Sequence, residues 1–379
     1  MSALFKKFLQ EATRLTRNGS LQEATRAIQQ ALGRTAATAT PPHTAAAWEK
    51  SWKNASNVID VVARPVHKTA QQPVSEPVRP LFTPAQPASN DGPGDFTEAA
   101  FTHAGITRSY KLYTPPPATT FGSPSARPMP LVLMLHGCTQ NPDDFANGTG
   151  MNALALEHGF VVLYPAQNQK ANAQRCWNWF TPADQQRDTG EAAWLAALVQ
   201  QVTKLRNIDP ARVYVAGLSA GGAMASILGH THPDVFAAVG VHSGLACGVA
   251  SNVITALSVM KNGRSAPGSP SRLPTIVFHG DADKTVHPLN ADAVLQTAIG
   301  QATTTAKATE GTAARGQGYT CTTYQTADGS SIAESWTLHG AGHAWSGGSA
   351  KGSYTDPLGP DASAEMWRFF AAHPRKPMH

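Results

Sequence analysis

The sequence Gly-Leu-Ser-Ala-Gly at residues 217–221 constrains the fold of this chain more than any other feature. An apolar, β-branched run at 213–216 precedes it and predicts a buried strand, while residues 222–228 predict the start of a helix. A strand that turns sharply into a helix holds the central side chain in a strained conformation with its oxygen exposed. Both glycines are needed because a Cβ at either position would clash across so tight a turn. Ser219 is therefore a candidate nucleophile.

A nucleophilic serine needs an acid and a base, and in hydrolases with this turn they follow in the order serine, acid, histidine. The next apolar run that ends in acidic residues is 274–280, which makes Asp283 the candidate acid and Asp281 the alternative. His343 follows the strand predicted at 331–338, lies among glycines and is the candidate base. An isolated loop aspartate is by default a solvated carboxylate, and a lone histidine is more often structural. The order of the three residues favours the catalytic interpretation.

Two backbone N–H groups are expected to form an oxyanion hole. One belongs to Ala220, directly after the serine, and the other to Cys138, which follows the apolar strand predicted at 131–135. Such a donor points at the oxygen on which negative charge develops, and one donor contributes about 3 kcal/mol of transition-state stabilisation.

Strand and helix patterns alternate along the rest of the chain from residue 96 onward. Further strands are predicted at 160–165, 235–242 and 319–326, and helices at 151–158, 188–205, 291–299 and 362–372. Alternation of this kind predicts an α/β fold, with a mainly parallel sheet covered by helices on both faces. A hairpin predicted over residues 96–113 would form an antiparallel edge of that sheet.

Five motifs, in order along the chain, give a specific resemblance. They are His136-Gly137-Cys138-Thr139-Gln140, Cys176-Trp177-Asn178-Trp179, Gly217-Leu218-Ser219-Ala220-Gly221-Gly222, His279-Gly280-Asp281-Ala282-Asp283 and the run from Gly342 to Gly348. Together they resemble the esterases of the poly(3-hydroxybutyrate) depolymerase family, catalytic domain type 1, over about residues 96 to 370. The resemblance implies an α/β-hydrolase fold and hydrolysis of carboxylic esters by Ser219, His343 and Asp283.

The resemblance favours short-chain polyhydroxyalkanoates, as polymers or oligomers, as the substrate. Feruloyl and acetylxylan esterases, which act on plant polysaccharide esters, share much of the pattern and are the alternative. An inactive protein that binds a granule or another partner is the alternative of a different class, and the intact set of three catalytic residues argues against it. No cofactor is implied. The histidines lack the paired spacing of metal ligands, so no metal site is predicted.

Four residues near these motifs are candidates for substrate contact: His136, Trp177, Trp179 and Trp345. Indole faces offer a large apolar area at low rotamer cost and suit a chain of ester and methyl groups. As fillers of the core the three tryptophans would be equally unsurprising.

The four cysteines allow three pairings. We expect a Cys138–Cys176 bridge, which would pin the two loops that shape the acyl pocket, and a Cys247–Cys321 bridge. Four reduced thiols are the alternative, and the default in a cytosolic protein. The N-terminal segment lacks the apolar core and cleavage site of a secretory signal peptide, which favours the cytoplasm. The family resemblance and the possible disulfides allow an extracellular location.

Three regions are predicted along the chain: a helical hairpin at 1–33, a linker rich in proline, alanine and threonine at 34–95, and a catalytic domain at 96–375. One hairpin cannot bury its own apolar stripe, so it is expected to dock on the catalytic domain, to self-associate, or to bind a partner or a polymer surface.

Composition excludes two classes of partner for a chain of 379 residues. The net charge is +5, but no basic cluster interleaves with aromatic residues, so nucleic acid is not an expected partner. No apolar run approaches the length of a membrane span.

Overall fold

A computed structural model of the chain describes residues 93–116, 128–265, 271 and 273–375. The hairpin predicted at 1–33 and nearly all of the linker predicted at 34–95 lie outside these residues. The first strand already includes Asp95, one residue before the predicted start of the catalytic domain at residue 96.

Ten strands of the described region form one sheet, in the order β1-β2-β4-β3-β5-β6-β7-β10-β9-β8. Their bounds are β1 Asp95–His103, β2 Ile106–Thr114, β3 Met129–Leu135, β4 Val161–Pro165, β5 Ile208–Leu218, β6 Ala238–His242, β7 Thr275–Gly280, β8 Thr304–Thr312, β9 Gly318–Thr326 and β10 Ser331–Leu338. The six strands from β4 to β10 in this order are parallel, and antiparallel pairs complete the sheet at both sides.

Helices connect the strands and cover both faces of the sheet. They are α1 Pro142–Thr149, α2 Met151–His158, α3 Gly190–Leu205, α4 Ala220–Thr231, α5 Val253–Asn262, α6 Leu289–Ile299 and α7 Ala362–Ala372, with a short 3₁₀ helix at Pro182–Gln185. A separate pair of short parallel strands, β11 Trp345–Ser346 and β12 Thr355–Asp356, lies in the loops between β10 and α7.

Neighbouring residues of the central strands point into two different cores. Leu133 and Val215 belong to the core under α3, α4, α5 and α6, whereas Met134 and Ala216 belong to the core under α1, α2 and α7. All four side chains are fully buried. Burial on both faces explains why these strands are continuous apolar runs in the sequence, without the alternation of a half-exposed strand.

The structure confirms the α/β class and the predicted strand at 331–338, and the helices predicted at 151–158 and 362–372 have the predicted bounds. The strand predicted at 235–242 begins only at Ala238. The N–H groups of Val235 and Phe236 turn back to the carbonyl of His232, which forms a turn before the strand.

Besides the short 3₁₀ helix and the strands β11 and β12, three longer elements were not predicted. Helix α1 has few apolar residues, although Asn141 caps it by accepting the N–H of Asp144. Helix α5 has apolar residues on its exposed side as well as its buried side, so no single apolar stripe stands out, although Asn252 and Thr255 form a capping box. Strand β8 is an edge strand whose residues are mostly exposed. None of the helices in the described part of the chain has the length and apolar content needed to cross a membrane.

Candidate active site

The loops that follow four parallel strands meet at one edge of the sheet. Cys138 follows β3, Ser219 follows β5, Asp283 follows β7 and His343 follows β10. The carboxyl ends of these strands lie on the same side because the pairs from β3 through β5, β6 and β7 to β10 are all parallel. Active-site groups of open α/β sheets collect at this edge.

Ser219 occupies a strained turn between β5 and α4. Its backbone has φ 57° and ψ −118°, a left-handed conformation that is rare for a residue with a side chain. The N–H of Ser219 donates to the carbonyl of His242 at 2.9 Å. A Cβ at Gly221 would collide with the carbonyl oxygen of Leu135, and one at Gly217 would collide with the backbone of Gly221. The turn predicted from the glycine spacing is present.

The side chains of Asp283 and His343 are in direct contact. Oδ2 of Asp283 accepts a hydrogen bond from Nδ1 of His343 at 2.6 Å. Oδ1 of the same carboxylate accepts the N–H groups of Thr285 and Val286 at 2.8 and 2.9 Å. A carboxylate only accepts, so the proton of the neutral imidazole is on Nδ1 and its Nε2 is left as an acceptor. This is the tautomer that a general base requires.

The surroundings of Asp283 keep its carboxyl ionised. Burial alone would raise the pKa, but hydrogen bonds with His279 and His343 and from the N–H of Val286 outweigh burial and hold the pKa of Asp283 well below its usual range. Nε2 of His279 lies 3.5 Å from Oδ2 of Asp283 and donates to the carbonyl of Val286 at 2.8 Å. The carboxylate is therefore available to His343 through the neutral and mildly acidic range.

Asp281, the alternative acid, has different partners. Its Oδ2 lies 3.1 Å from Nδ1 of His339, and its Oδ1 accepts the N–H of Gly340 at 2.7 Å. The side chains of Asp281 and His339 are 43% and 47% exposed, whereas that of Asp283 has no exposed surface. The structure thus brings Asp283, and not Asp281, to His343.

His242 joins the loops of Ser219 and His343, and the sequence analysis did not single it out. The carbonyl of His242 accepts the N–H of Ser219. Its ring nitrogen Nε2 accepts the N–H of Ser346 at 3.0 Å. Its ring is fully buried and stacked on Trp345, and burial lowers its pKa well below the usual value. The one sequence signal was its position as the last residue of an apolar strand next to β5.

The N–H groups expected to form the oxyanion hole lie next to the serine. Ala220 is the first residue of α4, and the first N–H groups of a helix have no acceptor within it. On the other side, Gly137 is so near that a Cβ added to it would lie 3.6 Å from the Cβ of Ser219. Cys138 follows Gly137 directly.

Gln140 connects the loop after β3 to the loop after His343. The sequence did not single it out as a functional residue. Its Oε1 accepts the N–H of Gly137 at 2.9 Å. Its Nε2 donates to Oδ2 of Asp144 and to the carbonyl of Ser353, both at 3.0 Å. The amide therefore satisfies the loop N–H beside Cys138 and fixes its position relative to Ser353.

One of the two predicted disulfides is present. Cys138 and Cys176 are bridged, with a Cα–Cα distance of 4.2 Å. The predicted bridge between Cys247 and Cys321 is wrong, since both cysteines are free. Cys247 packs against the core on one face of the sheet and Cys321 against the core on the other, so the sheet separates them. Burial raises the pKa of each thiol to about 11.

His136 holds the loop after β3 through hydrogen bonds from its buried ring. Its Nδ1 donates to the carbonyl of Gly137 at 2.8 Å, and its Nε2 accepts the N–H of Gln167 at 3.2 Å. The ring is 1% exposed, and burial lowers its pKa to about 4, so the imidazole is neutral. With both nitrogens occupied by the protein, His136 has no group free for the substrate contact that was predicted for it.

The three tryptophans near the motifs are core residues. Trp177, Trp179 and Trp345 are 0%, 5% and 1% exposed. The indole N–H of Trp177 donates to the carbonyl of His136 at 3.2 Å, and that of Trp345 to Oγ of Ser363 at 3.1 Å. We predicted that these indole faces contact a substrate. In the structure, the three rings are instead buried in the core.

No three histidine, cysteine, aspartate or glutamate side chains come together as metal ligands in the region that the structure covers. The fold, a serine in a strained turn after a central strand and an acid–histidine pair at the same edge of the sheet are features of α/β-hydrolases.

Comparison with known proteins extends this assignment. The sequence profile of the family described as Esterase PHB depolymerase matches residues 108–325, more than half of the chain. The chain belongs to this family. Ser219 and Asp283 lie within the matched residues, whereas His343 lies beyond them.

Two curated relatives and one solved structure illustrate the likeness. The chain is 34% identical over 243 residues to poly(3-hydroxyalkanoate) depolymerase C of Paucimonas lemoignei, covering 58% of this chain and 56% of that protein. It is 29% identical over 178 residues to feruloyl esterase B of Neurospora crassa, covering 42% and 60%. An acetyl xylan esterase from Aspergillus awamori shares the fold, with a TM-score of 0.55, 19% identity and coverage of 73% of this chain and 99% of that one. The chain thus matches little more than half the length of these two curated relatives.

Proposed function

We propose that this chain is a serine esterase in which Ser219 is the nucleophile, His343 the general base and Asp283 the acid that orients His343. The observation that carries the proposal is the 2.6 Å hydrogen bond between Asp283 and His343 at the edge of the sheet where Ser219 occupies its strained turn. Family membership supports the same class of reaction.

We assign each of these groups a role in a two-step reaction. Nε2 of His343 takes the proton of Ser219 Oγ as this oxygen attacks the carbonyl carbon of the ester. The N–H groups of Ala220 and Cys138 hold the oxyanion of the tetrahedral intermediate. The alcohol leaves with the proton from His343, and an acyl-enzyme on Ser219 remains. Water, deprotonated by the same Nε2, then attacks the acyl carbon. The bond from this carbon to Ser219 Oγ breaks, His343 returns the proton to Oγ, and the acid is released.

Asp283 acts through His343 and does not itself touch the ester. Its carboxylate keeps the histidine proton on Nδ1 and stabilises the imidazolium that forms during each proton transfer. The low pKa of Asp283 suits this role, because the carboxylate has to remain charged beside the cation.

We propose short-chain polyhydroxyalkanoates, as polymer or oligomers, for the substrate. The relative named as a poly(3-hydroxyalkanoate) depolymerase aligns over more of this chain, and at higher identity, than the relative named as a feruloyl esterase. Similarity to feruloyl and acetylxylan esterases supports plant polysaccharide esters as the second candidate.

A comparison of rates on matched substrates tests the substrate class. The kcat/KM would be measured on 3-hydroxybutyrate oligomers, methyl ferulate and acetylated xylan, with p-nitrophenyl butyrate as a general ester and the Ser219→Ala variant as the blank. We expect the highest value on the hydroxybutyrate oligomers. A higher value on methyl ferulate or acetylated xylan would assign the second candidate, and no turnover of any ester would contradict esterase activity.

A further inference from the structure

Tyr354 is the only exposed phenylalanine, tyrosine or tryptophan in the described part of the chain, where all the others are buried or half-buried. Its exposed fraction is 48%. The three tryptophans that the motifs bring near the site are buried, so they leave no aromatic surface there. The exposed ring of Tyr354 is therefore the aromatic surface to consider for ligand contact.

Two hydrogen bonds place Tyr354 between the loops of the oxyanion hole and the base. Its hydroxyl lies 3.3 Å from Oγ1 of Thr139, the residue after Cys138. Its carbonyl accepts the N–H of Trp345, two residues after His343, at 2.7 Å. Tyr354 therefore bridges the loop of Cys138 and the loop after His343.

The conformation of Tyr354 is strained and firmly held. Its φ is 52°, in the left-handed region that a bulky residue rarely adopts. The preceding residue, Ser353, is fixed because its N–H donates to Oδ1 of Asp144 at 2.8 Å and its carbonyl accepts from Gln140. Backbone strain persists only where the surrounding structure holds it, and it concentrates at functional sites. An exposed ring gains little packing energy to offset that strain.

We propose that the ring of Tyr354 contacts the aliphatic chain of the substrate next to the scissile ester and so sets the preference for longer esters. The inference rests on the proposed function, since it assigns the substrate contact of the same site. An aromatic face offers apolar area at a low cost in rotamer freedom, which suits the methyl and methylene groups of a short-chain ester.

The test compares Tyr354→Ala and Tyr354→Phe with the unmodified protein on three esters. p-Nitrophenyl acetate is the short reference, p-nitrophenyl hexanoate extends the acyl side and hexyl acetate extends the alcohol side. We expect Tyr354→Ala to raise KM about tenfold on at least one extended ester, as the loss of roughly 60 Å² of apolar contact predicts. The KM on p-nitrophenyl acetate should rise less than on the extended ester, and Tyr354→Phe should keep the KM of the unmodified protein because the ring remains.

Leu205→Ala is the matched control, because Leu205 is 65% exposed at the end of α3, just before β5, and should change no KM. Unchanged KM values for Tyr354→Ala on both extended esters would overturn the inference. An equal fall in kcat on all three esters would also overturn it, since that result indicates a structural role. If p-nitrophenyl acetate is not hydrolysed in a Ser219-dependent way, the proposed function itself fails. If p-nitrophenyl acetate is hydrolysed in a Ser219-dependent way, the contrary results named above contradict only the inference about Tyr354.

Discussion

Asp281 and Asp283 are two residues apart in one loop, yet their surroundings give them different chemistry. Asp283 has no exposed side-chain surface and is bonded to His343, while Asp281 is 43% exposed and bonded to His339. The difference arises because the loop after β7 turns inward, so that Oδ1 of Asp283 accepts the N–H groups of Thr285 and Val286.

Exchange of each aspartate for asparagine separates the two roles. Asp283→Asn should lower kcat at least a thousandfold, because an amide no longer holds the His343 proton on Nδ1 or stabilises the imidazolium. Asp281→Asn is the matched control and should lower kcat less than about threefold, because its partner is outside the proposed site. Both would be measured on p-nitrophenyl butyrate. The reverse order of the two effects would show that Asp281 is the acid.

The pH dependence of stability gives a second test at this residue. The pKa of Asp283 in the folded protein lies below the unfolded value of about 3.9, so the ionised carboxylate stabilises the fold above that pH. The contribution is lost as the pH falls through the folded pKa. We expect Asp283→Asn to lower the free energy of unfolding by on the order of 2 kcal/mol at about pH 7. Denaturant titrations should show this difference shrinking below about pH 4, and a difference that grows there would contradict the assignment.

At the scale of elements, the site depends on loops that are tied to one another. The Cys138–Cys176 bridge fixes the loop that carries one expected oxyanion donor, and Gln140 fixes the same loop to Ser353. His242 joins the turn of Ser219 to the loop of His343. Distortion of any of these ties would move a donor or the base while leaving the sheet intact.

Removal of the bridge should therefore affect both turnover and stability. The bridge closes a loop with a sequence separation of 38, for which chain entropy predicts about 4 kcal/mol of stabilisation. We expect the double variant Cys138→Ser, Cys176→Ser to lose stability of this order and to lower kcat more than it raises KM. Cys247→Ser is the control with a free cysteine. Unchanged kcat in a folded double variant would show that the bridge does not position the oxyanion hole.

The sequence predicted the elements that carry the proposed site better than it predicted the contacts between them. The strands before Cys138, Ser219 and Asp283 are buried on both faces where they approach the site, so their apolar runs and the loops after them are visible in the sequence. Strand β10, before His343, mixes buried and half-buried residues. The tryptophans and His136 could not be placed in this way. An apolar ring beside a catalytic motif has the same sequence pattern whether it lies on or beneath the loop, and only the packing decides.

At the scale of the whole molecule, the sheet separates two cores and thereby decides which distant residues can meet. The sequence alone allows a bridge between Cys247 and Cys321, but the two cysteines pack against opposite faces of the sheet. The alternation of strands and helices in the sequence predicted a mainly parallel sheet with helices on both faces, and the described region has this arrangement. His242 and Tyr354 are the residues that only the assembled fold brings to the site.

The region from residue 93 onward is proposed to be a complete catalytic unit. All residues of the proposed site lie between 136 and 354, the sheet begins at Asp95, and the hydroxyl of Tyr113 donates to the carbonyl of Pro93. We therefore expect a protein that begins at residue 93 to keep kcat/KM on p-nitrophenyl butyrate within about twofold of the full chain. A folded, monodisperse truncated protein without this activity would show that residues 1–92 contribute to the site.

The substitution Ser219→Ala tests the central claim most directly. The side chain of Ser219 is the proposed nucleophile, and alanine retains the Cβ while removing only the oxygen. Burst and steady-state kinetics on p-nitrophenyl butyrate would be measured together with thermal unfolding. We predict that kcat falls at least a thousandfold, the usual scale for loss of a triad nucleophile, while the unfolding temperature changes by less than about 2 °C. A folded Ser219→Ala variant that keeps more than about a hundredth of the original kcat would contradict the account.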